Sequence, residues 1–143
     1  MSQSEALADF PQMDYNAVVR PILSQCPRAR FIMNVRDPAA WVQSVKNHND
    51  MHARLTRADL PGLPPGTGHE DAELIDWLRR HWAAVARFFE CEGARERLLS
   101  FDIDQDSEAA KAQLEGFLGR QGVRWDKTNM SSGRKRKARR SDE

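Results

Sequence analysis

Arg36 closes a short apolar run, and Ser44 follows eight residues later. An arginine at such a point can present a planar fork of N–H donors to two phosphate oxygens, and a serine hydroxyl can add a further donor. Between them lies Asp37-Pro38. Aspartate offers an N-cap oxygen, and proline suits the first helical position, where no amide hydrogen is needed. Arg36 is therefore expected just before a helix start, where the partial positive charge of the terminus favours an anion. With Pro38 as the first helical residue, Ser44 sits roughly 9 Å further along the axis at 1.5 Å per residue. On spacing alone a second account stays open: Arg36 pairs with Asp37 or Asp102, and Ser44 is an ordinary helix-surface hydroxyl.

The elements that must position these residues read as alternating strands and helices. Residues 30–35 form the clearest strand, with Phe31, Ile32, Met33 and Val35 as the near-continuous run expected when both faces of a parallel sheet are covered. A helix follows from Ala39 to about Asn49, with Trp41, Val42 and Val45 toward the sheet and Lys46 and Asn47 toward water. Upstream, residues 2–10 suggest a frayed start or short strand ended by Asp9-Phe10-Pro11. Val18, Val19, Ile22 and Leu23 then give a helical period interrupted by Pro21, so a short or kinked helix is expected to end near Cys26-Pro27. Downstream, residues 52–68 are irregular. Their LPGLPPGTG segment holds three prolines and three glycines and reads as a loop. Residues 70–92 make the longest helix, on a stripe of Leu74, Leu78, Trp82, Val85 and Phe89. RLLSFDI, residues 97–103, reads as a second strand. Ser107 is expected to cap a last helix with Leu114, Phe117 and Leu118 inward and Gly119 at its end.

Composition narrows the class. The chain has 143 residues, enough for one domain with a modest core. At 40% hydrophobic and 30% charged it is neither fibrous nor disordered overall. No stretch approaches the roughly 18 apolar residues of a membrane span. The N-terminus lacks a basic segment followed by an apolar one, so no membrane partner and a cytoplasmic location are expected. Cys26 and Cys91 stand alone, without a CxxC or a histidine at metal spacing, and read as reduced thiols. No metal is expected. The net charge of +1 conceals an asymmetry, because RKRKARR at residues 134–140 holds six of the 22 basic residues. The body without that tail carries 16 basic and 19 acidic residues, a charge of −3.

The pattern apolar strand-Arg-Asp-Pro-x-x-Trp-x-x-Ser, with Cys26-Pro27-Arg28-Ala29-Arg30 leading into it, resembles the strand and helix that bind the 3′-phosphate in sulfotransferases. Arg36 and Ser44 match the two positions that hold the 3′-phosphate of 3′-phosphoadenosine 5′-phosphosulfate (PAPS) in that family. Asp9-Phe10-Pro11 resembles the Asp-x-Pro segment before the strand in bacterial members. RLLSFDI, Phe117-Leu118-Gly119 and the Trp125 to Ser131 stretch resemble later family segments, so the likeness runs from about Asp9 to Gly133. It implies an α/β fold, a three-layer sandwich around a parallel sheet of the P-loop-NTPase type, with residues 1–130 as a partial sulfotransferase domain and residues 131–143 as a basic, disordered tail. It implies PAPS, or its product 3′-phosphoadenosine 5′-phosphate (PAP), as cofactor. The implied partner is a small acceptor with a hydroxyl or amine.

The same resemblance implies a first strand and a phosphate loop rich in Gly, Ser, Thr and Lys. MSQSEALA offers neither glycine nor lysine for it, and the proline-laden LPGLPPGTG follows the wrong element. This chain is accordingly expected to hold mainly the 3′ half of the site, as a truncated or degenerate member, with apolar sheet faces exposed where the first strand would lie. No catalytic base is assigned. Asp9 is the positional candidate, against a role as a turn carboxylate. His48 and His52 read either as acceptor-pocket residues or as ordinary surface histidines, while His69 and His81 carry no signal. Trp41, Trp77 and Trp82 read as core rather than adenine-stacking residues. The basic tail lacks the family's closing Arg-Lys-Gly order. Two further functions stay open: a non-catalytic nucleotide-binding module, and polyanion binding through the tail, although no nucleic-acid module accompanies it.

Overall fold

A computed structural model describes residues 15–125. The chain divides between Gln105 and Asp106 into two compact units. In the first, α1 (Tyr15–Gln25) is followed by β1 (Phe31–Val35), α2 (Pro38–Asn47), α3 (Met51–Arg57), α4 (Asp71–Cys91), a 3-10 turn (Arg95–Arg97) and β2 (Leu98–Asp102). In the second, α5 (Ser107–Leu118) is the one helix among the described residues, with Ala110 and Leu114 buried.

β1 and β2 pair in parallel, Phe31 opposite Leu98 and Val35 opposite Asp102. This mixed helix–strand arrangement with a small parallel sheet is compatible with an α/β sulfotransferase fold. Among the described residues the sheet has these two strands. That is why β1 departs from the expected strand covered on both faces: its burial alternates half-buried and exposed, and Ile32 is 44% exposed. With one neighbouring strand and one apolar layer beneath it, the period-2 alternation of side chains leaves Ile32 and Asn34 open.

Two apolar clusters hold the first unit together. One joins Val19 and Leu23 of α1 to Val85 and Phe89 of α4, Ala94 and Leu98, with Phe31 and Met33 of β1 packed against it. Pro21 lies inside α1 without ending it. The second cluster gathers Val42 and Val45 of α2, Leu55 of α3, Leu60 and Leu63 of the following loop, and Leu74, Trp77 and Leu78 of α4. The apolar side of α2 thus packs among helices and loop rather than toward the sheet, with Trp41 partly buried at its edge. Lys46, on the outer side, pairs with Asp71 of α4.

The 52–68 stretch is more regular than its composition suggests. α3 occupies its first part, started after Asn49 takes a left-handed turn at φ 42°. Leu60 and Leu63 then bridge backbone to backbone across the proline-rich turn, and both are 2% exposed. Gly68 leaves this loop at φ 84°, and its amide donates to Glu73 Oε2 at 3.1 Å, as does that of Glu70. The carboxylate so placed satisfies amides at the start of α4. At the start of α5 the cap is Asp106, whose carboxylate accepts from Glu108 and Ala109, so Ser107 is the first helical residue rather than the cap. Gly119 closes that helix in the left-handed conformation at φ 63°.

Candidate anion site at the end of the first strand

The site is built by the sheet ladder running one step past its strands. Val35 lies opposite Asp102, and the Ile103 amide donates to the Val35 carbonyl at 3.0 Å. Each chain then turns away, leaving Arg36 on one side and Asp104 on the other. Arg36 Nε and Nη2 reach the two carboxylate oxygens of Asp104 at 3.0 and 3.2 Å, a fork-on-fork pair. The turn carrying Asp104 is itself held: its amide donates to Asp102 Oδ1 at 2.9 Å, and Gln105 Nε2 donates to the Asp102 carbonyl at 2.8 Å. Arg36 therefore pairs with neither Asp37 nor Asp102. Its partner lies 68 residues away, beyond the reach of any local pattern.

Asp37 caps α2 as its type predicts, accepting from the Ala40 amide at 2.9 Å. Pro38 has no amide hydrogen, and the Trp41 amide already donates to the Asp37 carbonyl. The terminus thus has few amides left for an incoming anion, and Arg36 supplies most of the positive charge. Ser44 lies on α2 with an exposed side chain, one turn beyond Ala40 on the same face as the cap. Arg36 is held at the strand end, and Ser44 stands along the helix that starts there.

Other sequence candidates have structural roles. His52 Nε2 contacts the Gly68 carbonyl at 2.9 Å, tying α3 to the loop exit. His48 and His69 are exposed. Trp77 is buried and donates Nε1–H to the Pro61 carbonyl at 2.9 Å, while Trp41 and Trp82 pack beside it, as core residues do. His81 gave no sequence signal, yet it stacks on Trp77 with centroids 5.4 Å apart and meets the Tyr15 hydroxyl at 3.0 Å from Nδ1. Burial lowers the His81 pKa from its ordinary value and raises that of Tyr15. Its position four residues after Trp77 on α4 is the one clue the sequence held. Asp9 and residues 134–140 lie outside the described residues. Cys26 and Cys91 are free and exposed. Among the described residues no group of three His, Cys, Asp or Glu side chains is arranged to hold a metal, and no helix is long and apolar enough to cross a membrane.

Residues 1–63 match the family model of the sulfotransferase domain, a stretch that contains β1, α2, Arg36 and Ser44. The likeness to the sulfotransferase family rests on that stretch. No curated protein and no solved structure matches the chain. The sulfotransferase match ends at Leu63, within the loop between α3 and α4, so Asp104 comes from outside the matched stretch.

Proposed function

We propose that Arg36 and Ser44 bind the 3′-phosphate of PAPS, forming the 3′ half of a sulfotransferase nucleotide site. The observation that carries this reading is the fork of Arg36, held at the carboxyl end of a parallel strand and directly before a capped helix, inside the family-matched stretch. Ligands of open parallel sheets bind beyond the carboxyl ends of the strands. The Asp104 carboxylate shows that the guanidinium edge is disposed for bidentate contact with a two-oxygen face, which a phosphate also presents. The residues present therefore fit the group.

In this reading the bound PAPS supplies the sulfuryl group for an acceptor hydroxyl or amine. The chain's own residues orient it: Arg36 neutralises and fixes the 3′-phosphate, and the Ser44 hydroxyl donates to the same group once α2 lies along it. Holding the nucleotide at its far end restricts its rotation, which is how binding away from the reacting bond contributes to positioning.

Calorimetric titration of the full chain with PAP tests the assignment. Arg36→Ala is expected to weaken binding at least about tenfold, because a hydrogen bond to a charged group contributes roughly 1.5–3 kcal/mol. Ser44→Ala should weaken it by roughly two- to tenfold, the range for a bond of about 0.5–1.5 kcal/mol. Equal binding by wild type and Arg36→Ala would refute the site.

A further inference from the structure

We propose that Asp104 is a built-in counter-anion that a 3′-phosphate must displace from Arg36, which makes the 103–105 turn a determinant of the affinity for that phosphate. The inference rests on the reading of Arg36 as the 3′-phosphate residue and adds a residue from outside the matched stretch. Asp104 occupies both Nε and Nη2 of Arg36, the edge through which a guanidinium grips a phosphate in bidentate fashion. A phosphate and the Asp104 carboxylate cannot share that edge, so binding is an exchange of one anion for another.

The pairing is not a chance meeting of two long surface side chains. Asp104 has a short side chain on a turn fixed by the Ile103 amide on Val35 and the Asp104 amide on Asp102. The same ladder that presents Arg36 therefore presents its competitor. The pair is also open to water, with side-chain exposures of 24% for Arg36 and 47% for Asp104. A pair this exposed is weak enough to open without unfolding the strand end. A dianionic phosphate can replace it, whereas a ligand with no group at that position gains nothing by opening it. Asp104 thus lowers the affinity for a 3′-phosphate at Arg36 and leaves that for nucleotides without one unchanged.

The test compares two nucleotides on the full chain by calorimetry: PAP, and adenosine 5′-monophosphate, which lacks the 3′-phosphate. Asp104→Asn is expected to bind PAP roughly three- to fivefold more tightly than wild type, matching the loss of one exposed ion pair. Adenosine 5′-monophosphate should bind both proteins equally. In the Arg36→Ala background the gain from Asp104→Asn should vanish. An unchanged PAP affinity in Asp104→Asn would overturn the displacement while leaving Arg36 as the phosphate residue. An equal gain for both nucleotides would overturn it too, by showing that charge removal alone suffices. Absence of PAP binding by wild type would overturn the Arg36 assignment together with this inference. A wild-type readout guards against a variant that misfolds. In labelled protein the Arg36 Nε–H resonance should shift on addition of PAP and stay unmoved by adenosine 5′-monophosphate, and an Arg36 signal indifferent to PAP would refute the exchange.

Discussion

Phe31 and Phe89 meet edge to face, with ring centroids 5.0 Å apart and planes inclined at 60°. This contact fastens β1 to α4, and so fixes the strand whose end carries Arg36. Phe89 is 2% exposed. Phe89→Ala is expected to cost about 3–5 kcal/mol, the usual range for emptying an aromatic site in a core. Urea denaturation followed by far-UV circular dichroism measures it, and a loss under about 1 kcal/mol would show that the sheet is anchored elsewhere.

Arg97 holds the approach to β1 by three carbonyls. Its guanidinium donates to Ala29 and Leu23 at 2.9 Å each and to Cys26 at 2.6 Å, and it lies over the Phe31 ring. The end of α1 and the turn into the strand are thus gathered on one side chain. Arg97→Ala should destabilise the chain by about 2–4 kcal/mol, since hydrogen bonds to a charged donor contribute roughly 1.5–3 kcal/mol each and water replaces part of them. Arg97→Lys should recover little, because an ammonium lacks the planar fork. Chemical denaturation of both variants decides this, and full rescue by lysine would count against the geometric account.

Gly68 and Gly66 separate backbone strain from steric overlap. Both have positive φ, 84° and 83°. A Cβ on Gly68 would lie 3.1 Å from Leu74 Cδ2 and 3.2 Å from Leu63 Cδ1, whereas on Gly66 it would meet nothing within 4 Å. Gly66→Ala is expected to cost about 1–2 kcal/mol for the left-handed conformation alone. Gly68→Ala adds the overpacking of a filled cluster, typically another 1–3 kcal/mol. Thermal melts of the two single variants give the comparison, and equal losses would remove the overlap as a cause.

His81 confers a pH dependence with a definite sign. Burial lowers its folded pKa below the ordinary 6.5, so the unfolded chain binds a proton more readily than the folded one. Its contribution to stability is fully present above about 6.5, the ordinary histidine value, and is lost as pH falls from there toward the folded pKa. Protonation also removes the acceptor that meets the Tyr15 hydroxyl. Urea midpoints measured from neutral to mildly acidic pH should fall, and the fall should be smaller in His81→Phe. A slope unchanged by that substitution would assign the dependence to other groups.

What could be read from the sequence was local. Asp37-Pro38 specified the start of α2 because an N-cap and a first-turn proline act within four residues, and Phe31 to Val35 specified β1 by composition. α3 was hidden because its apolar content is slight, Leu55 being its one buried aliphatic residue, and because the prolines after it dominate the segment. An exposed apolar sheet face was expected only through the resemblance, since a run of apolar residues does not itself reveal how many strands cover it. Arg36 was found by type and position, yet its partner Asp104 belongs to a turn brought near by strand register, which no spacing encodes.

The register between β1 and β2 also bears on how the chain folds. Bringing Phe31 beside Leu98 closes a loop of roughly seventy residues, an entropic cost that must be met before the ladder returns anything. The contacts of α2, α3 and α4 around Leu74 span shorter separations and need no sheet. Strand pairing is then a late event, and the Arg36 end of the sheet acquires its shape only after the helical cluster has condensed. A nascent or heat-stressed chain would lose the Arg36–Asp104 strand end first while keeping most of its helix.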